Sequence, residues 1–284
     1  MTTLGLALRA ARSRLANALA LEPAVAALEA HVLLGHALHK SRTFLLAHPE
    51  VELGDTDLTA FEALLQRRLS GEPIAYILGR REFYGFEFSV TPAVLTPRPE
   101  TELLVEHALE HIPPQQPLRI LDLGTGSGAI AITLAKLRPQ ALVTAVDISP
   151  EALAVAQQNA ARLEVRNIRF IESNWFQALD PGSQFDLIVA NPPYIAANDP
   201  HLQQGDVRFE PIGALHSGAD GLDAIRLIVQ ESQRFLPPNG WLLFEHGFNQ
   251  QQACANILTS LGYANISCQR DLAGQARMSS GRKS

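Results

Sequence analysis

The chain has 284 residues, 46% of them hydrophobic, and a formal net charge of −6. This length fits one large domain or a small and a medium domain, and the composition is that of a globular protein. The negative net charge and the lack of a long basic run argue against bulk electrostatic binding to nucleic acid. No apolar run is long enough for a membrane span. Cys254 and Cys268 form no closely spaced pair, which argues against a disulfide framework and a cysteine zinc site.

The first part of the chain has helical spacing. Apolar residues recur every three or four positions in the first twenty residues, which predicts an amphipathic helix. Three arginines with no acid before Glu22 are also typical of an organellar transit peptide, but the apolar face favours the helix. Further helices are predicted from Pro23 and over residues 57–69, so that residues 1–72 form a small helical bundle. Its histidines lack the spacing of metal ligands, and no metal site is predicted there.

Residues 73–100 differ in character from this bundle. Aromatic and polar residues alternate around Gly85 over residues 82–88, as in a short β-hairpin. Three prolines, Pro92, Pro97 and Pro99, then make a stiff connector. Aromatic residues are unusual in a plain linker, and our hypothesis is that the hairpin also covers a cofactor.

A helix is predicted over residues 100–112, and it contains a match to the H-x-x-E-H metalloprotease pattern between His107 and His111. One five-residue match on an amphipathic helix is weak, and no third ligand is evident. We interpret these residues as an exposed polar face.

Strands and helices alternate regularly after residue 117. This alternation predicts a doubly wound, mostly parallel, Rossmann-like sheet, in which the last of the strands is only weakly apolar. The predicted strands are residues 118–123, 141–146, 167–172, 185–190, 241–245, 267–272 and 277–281.

The first of these strands runs into a glycine-rich loop, Asp122–Gly128, and a helix follows at once. Glycines let the backbone turn sharply and approach a ligand closely. Asp147 ends the second strand, where its carboxylate can accept hydrogen bonds from both hydroxyls of a ribose. The same spacing also fits an NAD site, so these residues indicate only a cofactor that contains adenosine.

The tetrapeptide Asn191–Tyr194 follows a strand that is apolar enough to be buried, and it therefore begins at the ligand-binding edge of the sheet. The side-chain oxygen of Asn191 and the carbonyl of Pro192 form a pair of acceptors. Such a pair can hold a planar nitrogen so that its lone pair faces an electrophile. The Tyr194 ring can pack over a flat substrate group. An ordinary strand-ending turn is the alternative. Because no proton donor is poised as in a dehydrogenase, the tetrapeptide favours methyl transfer.

The glycine loop, Asp147 and Asn191–Tyr194 together resemble the class I S-adenosylmethionine-dependent methyltransferases that modify amide or exocyclic amine nitrogens. Further motifs resemble one family of that class, PrmC (HemK), the peptide chain release factor glutamine methyltransferases. The resemblance covers nearly the whole chain, including the helical amino-terminal part. The further motifs are residues 71–79, Phe83–Gly85, residues 95–102 and Ser173–Phe176.

The resemblance implies methylation of the side-chain nitrogen of the glutamine in the Gly-Gly-Gln loop of class I release factors, which gives N5-methylglutamine. It implies S-adenosyl-L-methionine as cofactor, S-adenosyl-L-homocysteine as product, no metal, no membrane or direct nucleic-acid partner, and a bacterial cytoplasmic location. Residues 1–72 are expected to dock the release factor, residues 73–100 to form the connector, and residues 101–284 to form the methyltransferase domain.

The resemblance also assigns roles by position. The catalytic residues are Asn191, Pro192 and Tyr194, and together with Pro193 they would hold the glutamine amide. The cofactor residues are Gly124, Thr125, Gly126, Ser127 and Gly128 for the methionine part, Asp147 for the ribose, Trp175 for the adenine, and Asn191 beside them.

Two positions depart from the family pattern. Asn174 stands where an aspartate is expected, which puts a polar contact to adenine in doubt. Met278–Ser280 is less apolar than the family's usual final strand, which predicts a loosely held sheet edge. The loop over residues 209–221 either borders the substrate mouth or is a plain surface connection.

Two other functions remain open at this point. An N6-adenine or other nucleic-acid amino methyltransferase would use the same tetrapeptide on a flipped base. It would ordinarily need a basic groove or a recognition domain, and neither is evident. A cofactor-binding protein without catalysis is disfavoured by the intact glycine loop and tetrapeptide.

Overall fold

The computed structural model describes residues 2–284, which fold into two units. The first unit contains the residues up to Gly79 together with the segment Gln203–Phe209. The second unit contains Arg80–Leu202 and Glu210–Ser284.

The first unit is helical, and its first helix has the predicted amphipathic character. The side chain of Thr3 caps this helix by accepting a hydrogen bond from the backbone N–H of Leu6. Its apolar face, which includes Leu4, Leu8 and Leu15, is buried in a core shared with the following helices. The helices are α1 (Leu4–Leu19), α2 (Pro23–Leu38), α3 (Arg42–Ala47), α4 (Asp55–Leu69) and α5 (Ile74–Leu78).

A buried arginine joins three parts of this unit. Arg68 on α4 is only 4% exposed. Its Nε and Nη2 donate to the two carboxylate oxygens of Glu29 on α2 at 2.8 and 3.0 Å, and its Nη1 donates to Asp206 Oδ1 at 2.8 Å. The segment Gln203–Phe209 is thereby fixed to the helices of its own unit.

The second unit begins with a tight β-hairpin, as the sequence predicts. It consists of β1 (Arg80–Phe83) and β2 (Phe86–Ser89), which pair antiparallel. Tyr84 and Gly85 both have positive φ, 52° and 77°, as a two-residue type I′ turn requires.

A seven-stranded sheet forms the centre of this unit. Its strand order is β5-β4-β3-β6-β7-β9-β8; the first five strands are parallel, and β9 is antiparallel to both of its neighbours. The predicted doubly wound, mostly parallel sheet is confirmed. The strands are β3 (Arg119–Leu123), β4 (Leu142–Asp147), β5 (Ile168–Glu172), β6 (Leu187–Ala190), β7 (Trp241–Glu245), β8 (Tyr263–Arg270) and β9 (Ala276–Lys283).

Helices cover both faces of the sheet. In β6, Leu187 and Val189 belong to one hydrophobic cluster, whereas Ile188 and Ala190 belong to another. Because both faces are buried, the strand has a continuous apolar sequence. The first cluster includes residues of α6 (Glu102–Glu110), α7 (Ala129–Leu137) and α8 (Pro150–Arg162), and the second includes residues of α9 (Asp223–Phe235) and α10 (Gln251–Ser260). Within residues 2–284, no helix is both long and apolar enough to cross a membrane.

The expectation of a loosely held final edge is wrong. The final strand β9 lies between β7 and β8, and Met278, Ser279 and Ser280 are all buried. The hydroxyls find partners inside the sheet: Ser280 Oγ lies 2.8 Å from Ser267 Oγ, and Ser279 Oγ lies 2.9 Å from His246 Nε2. Hydrogen bonding therefore compensates for the low apolar content of this strand.

The interpretation of the H-x-x-E-H match as an exposed face also needs correction. His111 stacks on Trp241 with 4.1 Å between ring centroids, and both side chains are half-buried. His107 Nδ1 lies 3.0 Å from Glu110 Oε2. Burial lowers the pKa of His111. These histidines take part in packing α6 against the sheet.

Candidate active site

The candidate site lies where the strand order reverses. From β3 the chain moves outward to β4 and β5, and it then returns to the other side of β3 with β6. Such a reversal leaves a crevice at the carboxyl ends of the strands, which is where open α/β sheets bind ligands. A cavity of about 430 Å³ opens at this edge. Its volume is in the range of small-molecule sites.

Most of the predicted site residues line this cavity. Gly128 lies outside the lining, against Ile132 and Ala156, while Pro192 and Tyr194 lie beside it. The predicted residues in the lining are Gly124, Thr125, Gly126, Ser127, Asp147, Trp175, Asn191 and Pro193.

The glycine loop and Asp147 are joined by hydrogen bonds. Gly126 N donates to Asp147 Oδ2 at 2.8 Å, and Ser149 N donates to Asp147 Oδ1 at 3.0 Å. A Cβ built on Gly126 would meet no atom of residues 2–284 within 4 Å, whereas one on Gly128 would lie 2.5 Å from Ile132 Cδ1. Open space beside Gly126 fits a ligand that approaches the backbone closely.

An indole ring adjoins the loop. Trp175 lines the cavity, and its ring lies 3.5 Å from the position of a Cβ on Gly124. Ser173 Oγ donates to the Trp175 carbonyl at 2.8 Å and accepts from Ala178 N at 3.0 Å, which fixes the turn. Asn174, the residue that departs from the family pattern, also lines the cavity.

Asp122 lies behind the glycine loop and is fully buried. Its Oδ2 accepts a hydrogen bond from Thr125 Oγ1 at 2.6 Å. Burial, together with the nearby charge of Asp147, raises the pKa of Asp122 to about 7. The Thr125 hydrogen bond opposes this shift only in part.

The tetrapeptide is paired with the loop that follows it in sequence. Tyr194 N and Ile195 N donate to the carbonyl of Leu215 at 3.2 and 2.9 Å. Gln250 Nε2 donates to the Tyr194 carbonyl at 2.9 Å. The loop over residues 209–221 borders the cavity, because Pro211, Gly213 and Ala214 belong to the lining.

A hydrogen-bond chain links the two ends of the tetrapeptide. Asn191 Nδ2 donates to Thr101 Oγ1 at 3.2 Å, and Thr101 Oγ1 donates to Glu245 Oε2 at 2.7 Å. Tyr194 Oη donates to Glu245 Oε1 at 3.1 Å. Glu245 is 2% exposed, and burial raises its pKa and that of Tyr194.

The sequence analysis did not single out Thr101 or Glu245 as site residues. For Glu245, its position at the end of a predicted strand was a usable indication of a place at the site. In the parallel register Ala190 of β6 lies opposite Phe244 of β7, so the residues that follow, Asn191 and Glu245, are neighbours at the same edge. Thr101 precedes α6, and only the three-dimensional structure brings it there.

The strand order, the cavity at the reversal, the glycine loop and the acid at the end of β4 define a class I methyltransferase of the S-adenosylmethionine-dependent type. Two family profiles agree with this class. Residues 115–275 match a methyltransferase domain, and residues 7–79 match the PrmC N-terminal domain. The chain belongs to the release factor glutamine methyltransferase family.

Two proteins with that family name are similar to this chain over most of their length. "Release factor glutamine methyltransferase" of Vibrio cholerae is 48% identical over 279 residues, which are 98% of this chain and 96% of the relative. Its namesake in Escherichia coli K12 is 48% identical over 254 residues, 89% of this chain and 91% of the relative.

A solved structure shows the same fold. The 16S rRNA N2 G1207 methyltransferase of T. thermophilus, in complex with AdoMet and guanosine, has a TM-score of 0.55 and 19% identity. The match covers 72% of this chain and 50% of that chain.

Proposed function

We propose that this chain transfers a methyl group from S-adenosylmethionine to the side-chain amide nitrogen of the glutamine in the Gly-Gly-Gln loop of class I release factors. The observation that carries the proposal is the position of Asn191, at the cavity and next to the glycine loop. Membership of the release factor glutamine methyltransferase family supports the same substrate. The products are N5-methylglutamine and S-adenosylhomocysteine.

The cofactor residues follow from the lining of the cavity. The glycine loop offers open space beside Gly126 for the methionine part. The carboxylate of Asp147 is held by two backbone N–H groups and keeps further lone pairs for ribose hydroxyls. The indole of Trp175 provides a flat apolar surface for adenine. When bound, S-adenosylmethionine supplies a methyl group on a positively charged sulfur, and this activation needs no metal.

The substrate residues orient the nitrogen. Asn191 Oδ1 and the carbonyl of Pro192 accept the two N–H groups of the glutamine amide, so that its lone pair faces the methyl carbon. Tyr194 packs against the amide plane. The new N–C bond forms as the C–S bond breaks, the electron pair stays on sulfur, and the nitrogen then loses its proton to water. Orientation of this kind is worth roughly 7–11 kcal/mol.

The helical bundle over residues 1–72 docks the release factor, residues 73–100 form the connector, and residues 101–284 carry out the transfer. A match of residues 7–79 to the PrmC N-terminal domain supports the docking role. From a translation factor as substrate we infer a bacterial cytoplasmic location, and we expect no membrane partner and no direct nucleic-acid partner.

Mass spectrometry of the substrate tests the proposal. A release factor is incubated with the protein and S-adenosylmethionine, alongside Asn191→Ala and a control, Asn256→Ala, which makes the same change at an exposed position of α10. We expect one added methyl on the Gly-Gly-Gln glutamine with the wild type and with the control, and at least about 100-fold slower transfer with Asn191→Ala.

A DNA duplex that contains adenine is included in parallel. Methylation of the duplex without methylation of the release factor would replace the proposed substrate by a nucleic-acid base. Binding of S-adenosylmethionine without transfer to either substrate would contradict the proposed activity.

A further inference from the structure

The inference concerns what fixes the side-chain amide of Asn191, and it rests on the proposed function. The two ends of an asparagine amide have almost the same size and shape, so packing alone does not decide which end faces the cavity. If Oδ1 of Asn191 faces the cavity, it accepts a hydrogen bond from an N–H of the substrate amide. If Nδ2 faces the cavity, its N–H groups repel the N–H groups of the substrate. The orientation of this amide therefore decides whether the glutamine nitrogen is held or repelled.

The hydrogen-bond chain behind Asn191 has a direction. A threonine hydroxyl has one proton, and Thr101 donates it to Glu245 Oε2 at 2.7 Å. Tyr194 Oη donates to Oε1 of the same carboxyl group, so that both of its oxygens accept hydrogen bonds. Thr101 Oγ1 therefore acts as an acceptor toward Asn191. Only the Nδ2 group of the amide can donate to it, and the Nδ2–Oγ1 distance is 3.2 Å. Oδ1 is left for the cavity side.

We propose that Glu245 and Thr101 are positioning residues that set the orientation of the Asn191 amide, so that it presents an acceptor to the substrate nitrogen. Glu245 does not line the cavity and acts through Thr101. Thr101 is itself 4% exposed, and its hydroxyl lies between the amide and the carboxylate.

The same carboxylate reaches the other end of the tetrapeptide. Its second oxygen, Oε1, accepts the hydroxyl of Tyr194 at 3.1 Å. Tyr194 thus has its ring fixed by the group that fixes Asn191, and both depend on the end of β7. A buried carboxylate is costly unless its oxygens are satisfied, and here each oxygen has a donor.

The test uses the full-length protein, a release factor and S-adenosylmethionine. Thr101→Val keeps the shape of the side chain and removes the hydroxyl, whereas Thr101→Ser keeps the hydroxyl and removes the methyl group. Glu245→Gln gives Thr101 a donor in place of an acceptor, which allows the Asn191 amide to turn over. We expect kcat to fall about 10- to 100-fold in Thr101→Val and Glu245→Gln, and to stay within about 3-fold in Thr101→Ser.

Binding of S-adenosylmethionine is expected to change less than about 3-fold in all three variants, and the KM for the release factor is expected to change less than kcat, because residues 1–72 are proposed to dock the release factor. A second readout needs no turnover: the side-chain ¹⁵N–¹H NMR signals of Asn191. One Nδ2 proton is expected to be protected from exchange in the wild type and in Thr101→Ser, and to lose its protection in Thr101→Val.

The outcomes separate this inference from the proposed function. If Thr101→Val turns over as fast as the wild type, or if Thr101→Ser falls as far as Thr101→Val, the hydroxyl is not what orients Asn191 and the inference is overturned. If the wild type binds the cofactor but does not methylate the release factor, the proposed function fails. The NMR comparison then still decides whether Thr101 fixes the amide.

Discussion

At the scale of single residues, Asp122 predicts how stability depends on pH. Its pKa is raised to about 7 in the fold, against 3.8 for an unburied aspartate. As pH rises from 4 to 7, the unfolded chain loses this proton while the folded chain keeps it, so folding stability falls. At 1.36 kcal/mol per pH unit, the loss between pH 5 and pH 7 is about 2–3 kcal/mol, and it levels off above pH 7.

Asp122→Asn removes this titration and keeps an acceptor for Thr125. As pH rises from 5 to 8, we expect the folding stability of the wild type to fall by about 2–3 kcal/mol relative to that of the variant. Urea unfolding followed by tryptophan fluorescence measures this gain, because both tryptophans, Trp175 and Trp241, lie in the second unit. A difference between the two proteins that is the same at both pH values would show that Asp122 is ionised in the fold.

How far a site residue could be predicted depended on where its partners lie in sequence. The glycine loop and Asn191–Tyr194 each follow a buried strand, so their position at one sheet edge follows from the alternation of strands and helices. Thr101 gives no such signal, because it precedes a helix and meets Asn191 only through the packing of α6.

At the scale of elements, one asparagine of α8 connects the hairpin to the glycine loop. Asn159 is fully buried. Its Oδ1 accepts Ser89 N at 2.7 Å, and its Nδ2 donates to the carbonyls of Ser89 and Ser127 at 3.0 and 2.9 Å. The same amide group therefore holds the end of β2 and the glycine loop.

Asn159→Ala leaves these three backbone groups without their partner. We expect a loss of about 2–4 kcal/mol in the stability of the second unit, since each buried unsatisfied group costs about 1–3 kcal/mol. Weaker binding of S-adenosylmethionine is expected as well, because Ser127 lines the cavity. Urea unfolding and calorimetric titration measure the two effects.

The neighbouring change Gln158→Ala, at an exposed position of the same helix, is the matched control and should leave both quantities near the wild-type values. Equal behaviour of the two variants would mean that Asn159 does not hold the loop.

The strands differed in how well the sequence predicts them. The interior parallel strands β3, β4, β6 and β7 are buried over most of their length, and such strands are visible as continuous hydrophobic segments. β9 was expected at a loose edge because Ser279 and Ser280 are polar. Its interior place depends on side-chain hydrogen bonds to His246 and Ser267, and residue polarity alone does not indicate such partners.

At the scale of the whole molecule, the two units have separate cores. The apolar residues of the helical unit form one cluster, and the two clusters that flank the sheet lie in the second unit. Every residue that lines the cavity also belongs to the second unit. A ligand of that cavity is therefore expected to stabilise the second unit directly.

We accordingly expect two thermal transitions, which respond to different changes. S-adenosylmethionine at about 100 times its Kd should stabilise the second unit by about 2.7 kcal/mol and raise its Tm by roughly 5–10 °C.

Arg68→Met leaves the nearly buried carboxylate of Glu29 without its partner, which costs about 3–5 kcal/mol, and should lower only the transition of the helical unit. Arg67→Met changes the neighbouring, more exposed arginine and should have a small effect. Calorimetry, with tryptophan fluorescence to identify the second unit, tests this division. A single transition that moves with both the ligand and Arg68→Met would show instead that the two units unfold together.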